Sequence, residues 1–176
     1  ARGVPSAIVA AAKSNNITQR IQSIFSCHSL KVFTSNDPIG VEIGGALKNV
    51  MAITTGISDG LKIGYNARAA LITRGLVEIA RIGTALGARP ETFSGLSGLG
   101  DLVLTCTGEL SRNRQIGIRV GQGEKLHEIT NNMKVAVEGI LTVKSAHALK
   151  SKLNIQASVI EETYSEEREE EREAHQ

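Results

Sequence analysis

From Pro38 onward the apolar residues keep helical time: Ile43, Leu47, Val50, Thr54 and Ile57 advance by four, three, four and three positions. Only a helix returns residues at those steps to one face. A second stripe, Ile72, Leu76, Ile79, Gly83 and Leu86, follows a glycine-bearing loop read over residues 56–65, with Asn66 as its cap. Gly87 closes that helix, and Pro90 suits the first turn of a short one. Further helices are expected from Arg112 to about Gly121 and over residues 137–150. The chain is therefore read as mainly α, a multi-helix domain joined by glycine-rich turns. Aromatic residues are 3% of the chain and Trp is absent, so the core must be Leu, Ile, Val and Ala, which helices accommodate.

A short β-α-β unit precedes the helices. Residues 6–12 are almost all apolar and read as a buried strand; Asn15-Asn16 can cap a helix over residues 17–25, with Ile17, Ile21, Ile24 and Phe25 on one face. Residues 31–35 read as a second strand, closed by the turn Asn36-Asp37-Pro38. Two strands make no stable sheet alone, so this unit reads as the last piece of a larger α/β domain. The chain opens at Ala1 inside structured sequence, as a fragment would.

The formal charge of +2 hides an asymmetry. Residues 156–176 hold eight Glu and two Arg, a net −6, so the preceding 155 residues carry +8. A basic body suits anionic ligands, but the charge is too modest and dispersed to indicate nucleic acid. The acidic tail is expected to be solvated, as a frayed helix or disordered. No apolar stretch approaches a membrane span. Cys27 and Cys106 offer neither a disulfide framework nor metal-ligand spacing, and the four histidines show no metal pattern, so the chain is read as cytoplasmic, reduced and metal-free.

Chemistry concentrates in residues 95–117. Gly95, Gly98 and Gly100 permit close backbone approach, and Asp101 follows them directly. Ser111 can cap a helix whose first turn carries Arg112, Asn113 and Arg114; the two cations are either simply exposed basic residues or, as their cost against the helix dipole favours, partners of an anion beside them. Asp101 reads equally as a cap for the apolar run after it or as a functional carboxylate. Lys48 has Gly44 and Gly45 one turn before it and Met51, Ala52 and Thr55 after it. It is either a solvated lysine beside a helix contact or a lysine partly desolvated in a cleft, able to exchange a proton. Asp59, in Ser58-Asp59-Gly60, reads as a turn residue. The order Gly95-x-x-Gly98-x-Gly100 is the reverse of the dinucleotide fingerprint and follows a helix, so it is not one.

The blocks Gly44-Gly45-Ala46-Leu47-Lys48-Asn49-Val50, residues 66–76, Gly98-Leu99-Gly100-Asp101-Leu102, Ser111-Arg112-Asn113-Arg114 and Val137-Glu138-Gly139 together resemble NAD(P)-dependent glycerol-3-phosphate dehydrogenase, in order and at matching separations from about Val4 to Ile155. The resemblance implies an oxidoreductase interconverting dihydroxyacetone phosphate and sn-glycerol 3-phosphate in glycerophospholipid synthesis. Residues 1–36 would be the end of its Rossmann domain, 37–158 its substrate domain, and 159–176 the acidic tail. It implies Lys48 and Asp101 as catalytic residues, and Lys48, Asn49, Asp101, Thr105, Ser111, Arg112 and Asn113 as substrate-binding. Arg112, Ala136 and Glu138 would contact NAD or NADP, most of whose site lies in the absent N-terminal part, so the chain is expected to be inactive alone. The partners implied are a small phosphorylated substrate and a second copy in a homodimer. Two alternatives stay open: a related β-hydroxyacid-type dehydrogenase, or a non-catalytic helical oligomerisation module.

Overall fold

A computed structural model describes residues 3–132 and 137–173. β1 (Ser6–Ala11) and β2 (Leu30–Ser35) pair in parallel, Ser6 opposite Leu30 through Ala11 opposite Ser35. They are joined by α1 (Asn15–Phe25), whose N-cap position is Ser14, without a side-chain cap hydrogen bond, rather than the expected Asn15-Asn16. Gln22 of α1 donates through Nε2 to the Val32 carbonyl at 2.6 Å, fixing the helix on the sheet. The stripe expected to be its buried face is open instead: Ile17, Ile24 and Phe25 are all more than half exposed, and Thr18 is the residue turned inward.

The helical body begins at α2 (Pro38–Gly60). Asp37 starts it: Oδ1 accepts from the Gly40 amide at 3.0 Å, while Oδ2 accepts from the Arg89 amide at 2.8 Å and the Thr92 hydroxyl at 2.6 Å. Burial opposes ionisation of this carboxyl, but the hydrogen bonds from Thr92, Gly40 and Arg89 outweigh it and hold the group below the ordinary aspartate range. α3 (Tyr65–Ala85), α4 (Pro90–Phe93), a π-helical turn (Leu96–Gly100), α5 (Asp101–Thr107), α6 (Arg112–Gly121), α7 (Leu126–Asn132), α8 (Val137–Lys152) and α9 (Ser158–Glu173) follow. Two boundaries differ from expectation. α3 starts at Tyr65 with Gly64 as its cap, not Asn66. Residues 56–60, read as loop, are the last turn of α2.

The reason lies across the helix. A Cβ on Gly56 would come 2.2 Å from the Arg114 carbonyl, and one on Gly60 2.3 Å from the Ile118 carbonyl; on α6, Gly117 and Gly121 face Ile53 and Ile57 at 2.0 and 2.3 Å. Four glycines, spaced by four on each helix, thus bring two parallel backbones into contact. Locally they look like helix breakers; in the fold they are a packing surface.

α2 is the axle of the body. Its Leu47, Val50, Met51 and Ile53 meet Ile79 and Ile82 of α3, Phe93 of α4, Leu102 and Cys106 of α5, and Val143 of α8 in one core. α9 also joins that core, contrary to the frayed or disordered tail expected from its charge. Val159, Ile160 and Thr163 are buried, and the Thr163 hydroxyl meets that of Thr54 at 2.6 Å. Glu78 of α3 caps the helix from outside, accepting from the Ser158 hydroxyl and from the Val159 and Ile160 amides at 3.2, 2.8 and 3.2 Å. Glu161 pairs with both Lys150 and His147, and His147 stacks on Tyr164 at 3.9 Å between centroids. Basic residues of α8 therefore neutralise one side of the acidic helix while an apolar edge docks it.

Candidate active site

Lys48 lies midway along α2. One turn earlier, Gly44 admits the Ser97 carbonyl of the π turn, where a Cβ would be 2.9 Å away. That turn is seated in its own place by Gly98, whose Cβ would come 2.2 Å from the Phe93 carbonyl. The contact delivers the first residue of α5 onto α2: Lys48 Nζ donates to Asp101 Oδ2 at 2.6 Å. The cap reading of Asp101 does not hold: Asp101 is the first residue of α5, and no side-chain cap hydrogen bond forms at the start of that helix. The Thr105 hydroxyl donates to the Asp101 carbonyl at 2.6 Å and also lies 3.5 Å from Oδ1. Lys48 and Asp101 keep 24% and 32% of their side-chain surface exposed, so the pair can be reached by a solute.

What reaches it is a cleft of about 360 Å³ between β1 and the π turn. Ile8, Val9, Val41, Leu96 and Leu104 form apolar walls, Gly45 and Gly100 contribute backbone only, and Asp101 lies at its edge.

The first turn of α6 is the other half of the site. Because Gly117 faces Ile53 and Gly56 in a parallel crossing, stepping back one helical turn on each helix, about 5.4 Å, brings Asn113 of α6 level with the turn of α2 that follows Lys48. The Ser111 hydroxyl oxygen accepts from the Arg114 amide at 3.4 Å, as the expected cap should. Arg112 is exposed and has no partner among the described residues. Asn113 is half-buried and its Oδ1 rests against the bare Cα of Gly139 on α8. Asn49, next to Lys48, is half-buried. Ala136 lies outside the described residues, as does the side chain of Glu138.

Two readings of this region change. Arg114, paired with Arg112 in the expected anion site, has an internal partner: its Nε and Nη2 donate to Asp59 Oδ2 at 3.0 and 2.6 Å. Asp59 is thus no turn residue. It also receives Arg68 Nη1 at 3.1 Å, and Arg68 lies over the Tyr65 ring at 4.8 Å. Neither partner could be found from spacing, because they lie 9 and 55 residues from Asp59. Cys106 sits beside this cluster; burial pushes its thiol up to about 11, despite a hydrogen bond with Thr55 and the positive charge of Arg114. It is a packed core residue.

This is a helical domain carrying a lysine–carboxylate pair and appended to a parallel β-α-β unit. Residues 37–172 match the family described as NAD-dependent glycerol-3-phosphate dehydrogenase C-terminus, and the chain belongs to that family. It is 54% identical over 161 residues to the glycerol-3-phosphate dehydrogenase [NAD(P)+] of Syntrophotalea carbinolica and 50% identical to that of Geobacter sulfurreducens, in each case covering 92% of this chain and 48% of the relative. The chain spans about half the length of these curated relatives. A solved glycerol-3-phosphate dehydrogenase from Coxiella burnetii superposes with a TM-score of 0.90 at 41% identity, over 95% of this chain and 51% of that one. The Saccharomyces cerevisiae enzyme does so at 0.82 and 26% identity, over 93% and 50%. Among the described residues, no helix is long and apolar enough to cross a membrane.

Proposed function

We propose that this chain is the substrate-binding and acid/base half of a cytoplasmic NAD(P)-dependent glycerol-3-phosphate dehydrogenase, which interconverts dihydroxyacetone phosphate and sn-glycerol 3-phosphate for glycerophospholipid synthesis. Residues 1–36 end its dinucleotide-binding domain, and 37–158 form its substrate domain, with α9 packed on it. The observation that carries this reading is the 2.6 Å Lys48–Asp101 pair at the edge of a cleft, on a helix packed against α6, whose first turn bears an exposed arginine with no partner among the described residues.

The substrate has two ends, and the site has two matching parts. Its phosphate is held by Ser111, Arg112 and Asn113, where helix dipole and guanidinium add. Its reacting carbon then faces Lys48. In reduction, Lys48 Nζ holds the proton that the carbonyl oxygen takes as the carbon becomes a secondary alcohol; in oxidation the same nitrogen receives it. Asp101 aims the ammonium, and Thr105 and Asn49 orient Asp101 and the substrate hydroxyls. When bound, NAD(P)H would supply the hydride. The cleft fits such a group: it has apolar walls for a flat ring and bare backbone at Gly45 and Gly100, and it opens beside Asp101. Arg112, Glu138 and the backbone near Ala136 would hold the remainder.

The test is thermal unfolding of the chain with glycerol 3-phosphate, dihydroxyacetone phosphate or glycerol. At a hundredfold excess over Kd, a phosphorylated ligand adds about 2.7 kcal/mol, and each kcal/mol raises Tm by ~2–4 °C in a domain of this size. Glycerol should give no shift, and Arg112→Gln should remove the shift given by the phosphorylated ligands. An equal shift with glycerol would refute the proposal.

A further inference from the structure

We infer that Arg114 and Asp59 are positioning residues for the phosphate-binding turn of α6, resting on the phosphate site proposed above. They hold the turn without touching the ligand. Arg112 and Arg114 are two like charges in one helical turn, and both would otherwise compete for any anion placed there. The structure separates their tasks. Arg114 directs two nitrogens, at 3.0 and 2.6 Å, to a single oxygen of Asp59 on the last turn of α2. Its own amide is the one capped by Ser111. One residue therefore joins the backbone of the α6 N-terminus, through the cap, to the rigid axle of the domain, through the ion pair. Arg112 is left exposed and free to meet a ligand.

The pair is well placed to act as a fixed support. Asp59, Arg68 and Arg114 keep only 14%, 13% and 12% of their side-chain surface exposed, so solvent screens them poorly. Asp59 lies next to Gly60, where α2 and α6 touch backbone to backbone, so little can move around it. Arg68 shares the Asp59 oxygen but belongs to α3, and it offers a built-in contrast: the same carboxylate, the same kind of donor, and no connection to α6.

Isothermal titration of the full chain with glycerol 3-phosphate and with inorganic phosphate tests this. The variants are Arg114→Gln, Arg114→Lys, Arg68→Gln and Arg112→Gln, each checked for folding by its unfolding midpoint. Arg114→Gln should weaken both phosphorylated ligands about tenfold or more, as loss of a supporting partner does at other preorganised sites. Arg114→Lys, which keeps the charge but loses the fork, should recover part of that affinity. Arg68→Gln should lower the unfolding midpoint and leave the affinities unchanged. Equal losses for Arg114→Gln and Arg68→Gln, or none for either, would overturn the inference. If Arg112→Gln abolishes binding while both Arg114 variants bind normally, this inference fails and the phosphate site stands. If the unaltered chain binds neither phosphorylated ligand, the site and the inference fall together.

Discussion

Gly117→Ala and Gly45→Ala make the same chemical change in two helices and should have opposite effects. Replacing a helical glycine by alanine ordinarily stabilises by up to ~1 kcal/mol, through the lower entropy of the unfolded chain and better helix propensity. At Gly45 nothing lies within 4 Å of the new methyl, so that gain should be realised. At Gly117 the methyl would sit 2.0 Å from the Ile53 carbonyl oxygen and 2.9 Å from the Gly56 Cα. Both neighbours are backbone, so no side-chain rotation relieves the clash and α2 and α6 must separate. Forced overpacking costs typically 1–3 kcal/mol, and rigid backbone on both sides places this site at or above the upper end. Subtracting the helix gain leaves a net loss of about 2 kcal/mol, or a Tm lower by ~4–8 °C. Thermal unfolding followed by circular dichroism on the two variants reads this directly. A shift of the same sign in both would refute the claim that the α2–α6 crossing depends on backbone contact.

Asp37→Ala removes the cap of α2 and its tie to α4, at a cost of about 1–2 kcal/mol. The folded pKa of Asp37 lies below its unfolded value. Its contribution is therefore complete above the ordinary carboxyl range near ~3.9 and is lost as pH falls through the lowered value, so unfolding curves of parent and Asp37→Ala should converge in acid and stay apart at neutral pH. Glu78→Gln should loosen α9, because three hydrogen bonds to one buried carboxylate are weakened; bonds to charged groups contribute about 1.5–3 kcal/mol each, and hydrogen exchange at the Val159 and Ile160 amides should quicken. Unchanged exchange at those amides would show that burial of Val159 and Ile160 alone holds the helix.

Many features that depend on near neighbours are readable in the sequence, although the start residues of α1 and α3 and the buried face of α1 are not. The two strands, the Ser111 cap, Pro90 at the start of α4 and the stripe of α2 all follow from spacing and local propensity. Features set by distant partners were not. Lys48 and Asp101 are 53 residues apart, and nothing in the composition of either stretch joins them; the family resemblance did so. Asp59 has the local look of a turn, Ser-Asp-Gly, while its role comes from Arg68 and Arg114. Gly56 and Gly60 carry a breaker signal that Gly117 and Gly121 convert into a packing surface. The tail misleads in the other direction: its charge suggests a solvated segment, yet Val159, Ile160 and Thr163 supply a buried edge, and Glu78 supplies the cap that its own sequence lacks. Arg114 shows both effects together, since its place in the first turn of α6 follows from the Ser111 cap and its partner, 55 residues away, does not.

The central claim is that one phosphorylated three-carbon ligand spans the α6 N-terminus and the Lys48–Asp101 pair. A crystal structure of the chain with glycerol 3-phosphate measures that directly. The account predicts the phosphate within hydrogen-bond distance of Ser111, Arg112 or Asn113 and the secondary hydroxyl within that distance of Lys48 Nζ. A phosphate bound elsewhere, or a ligand whose secondary hydroxyl points away from Lys48, would contradict it.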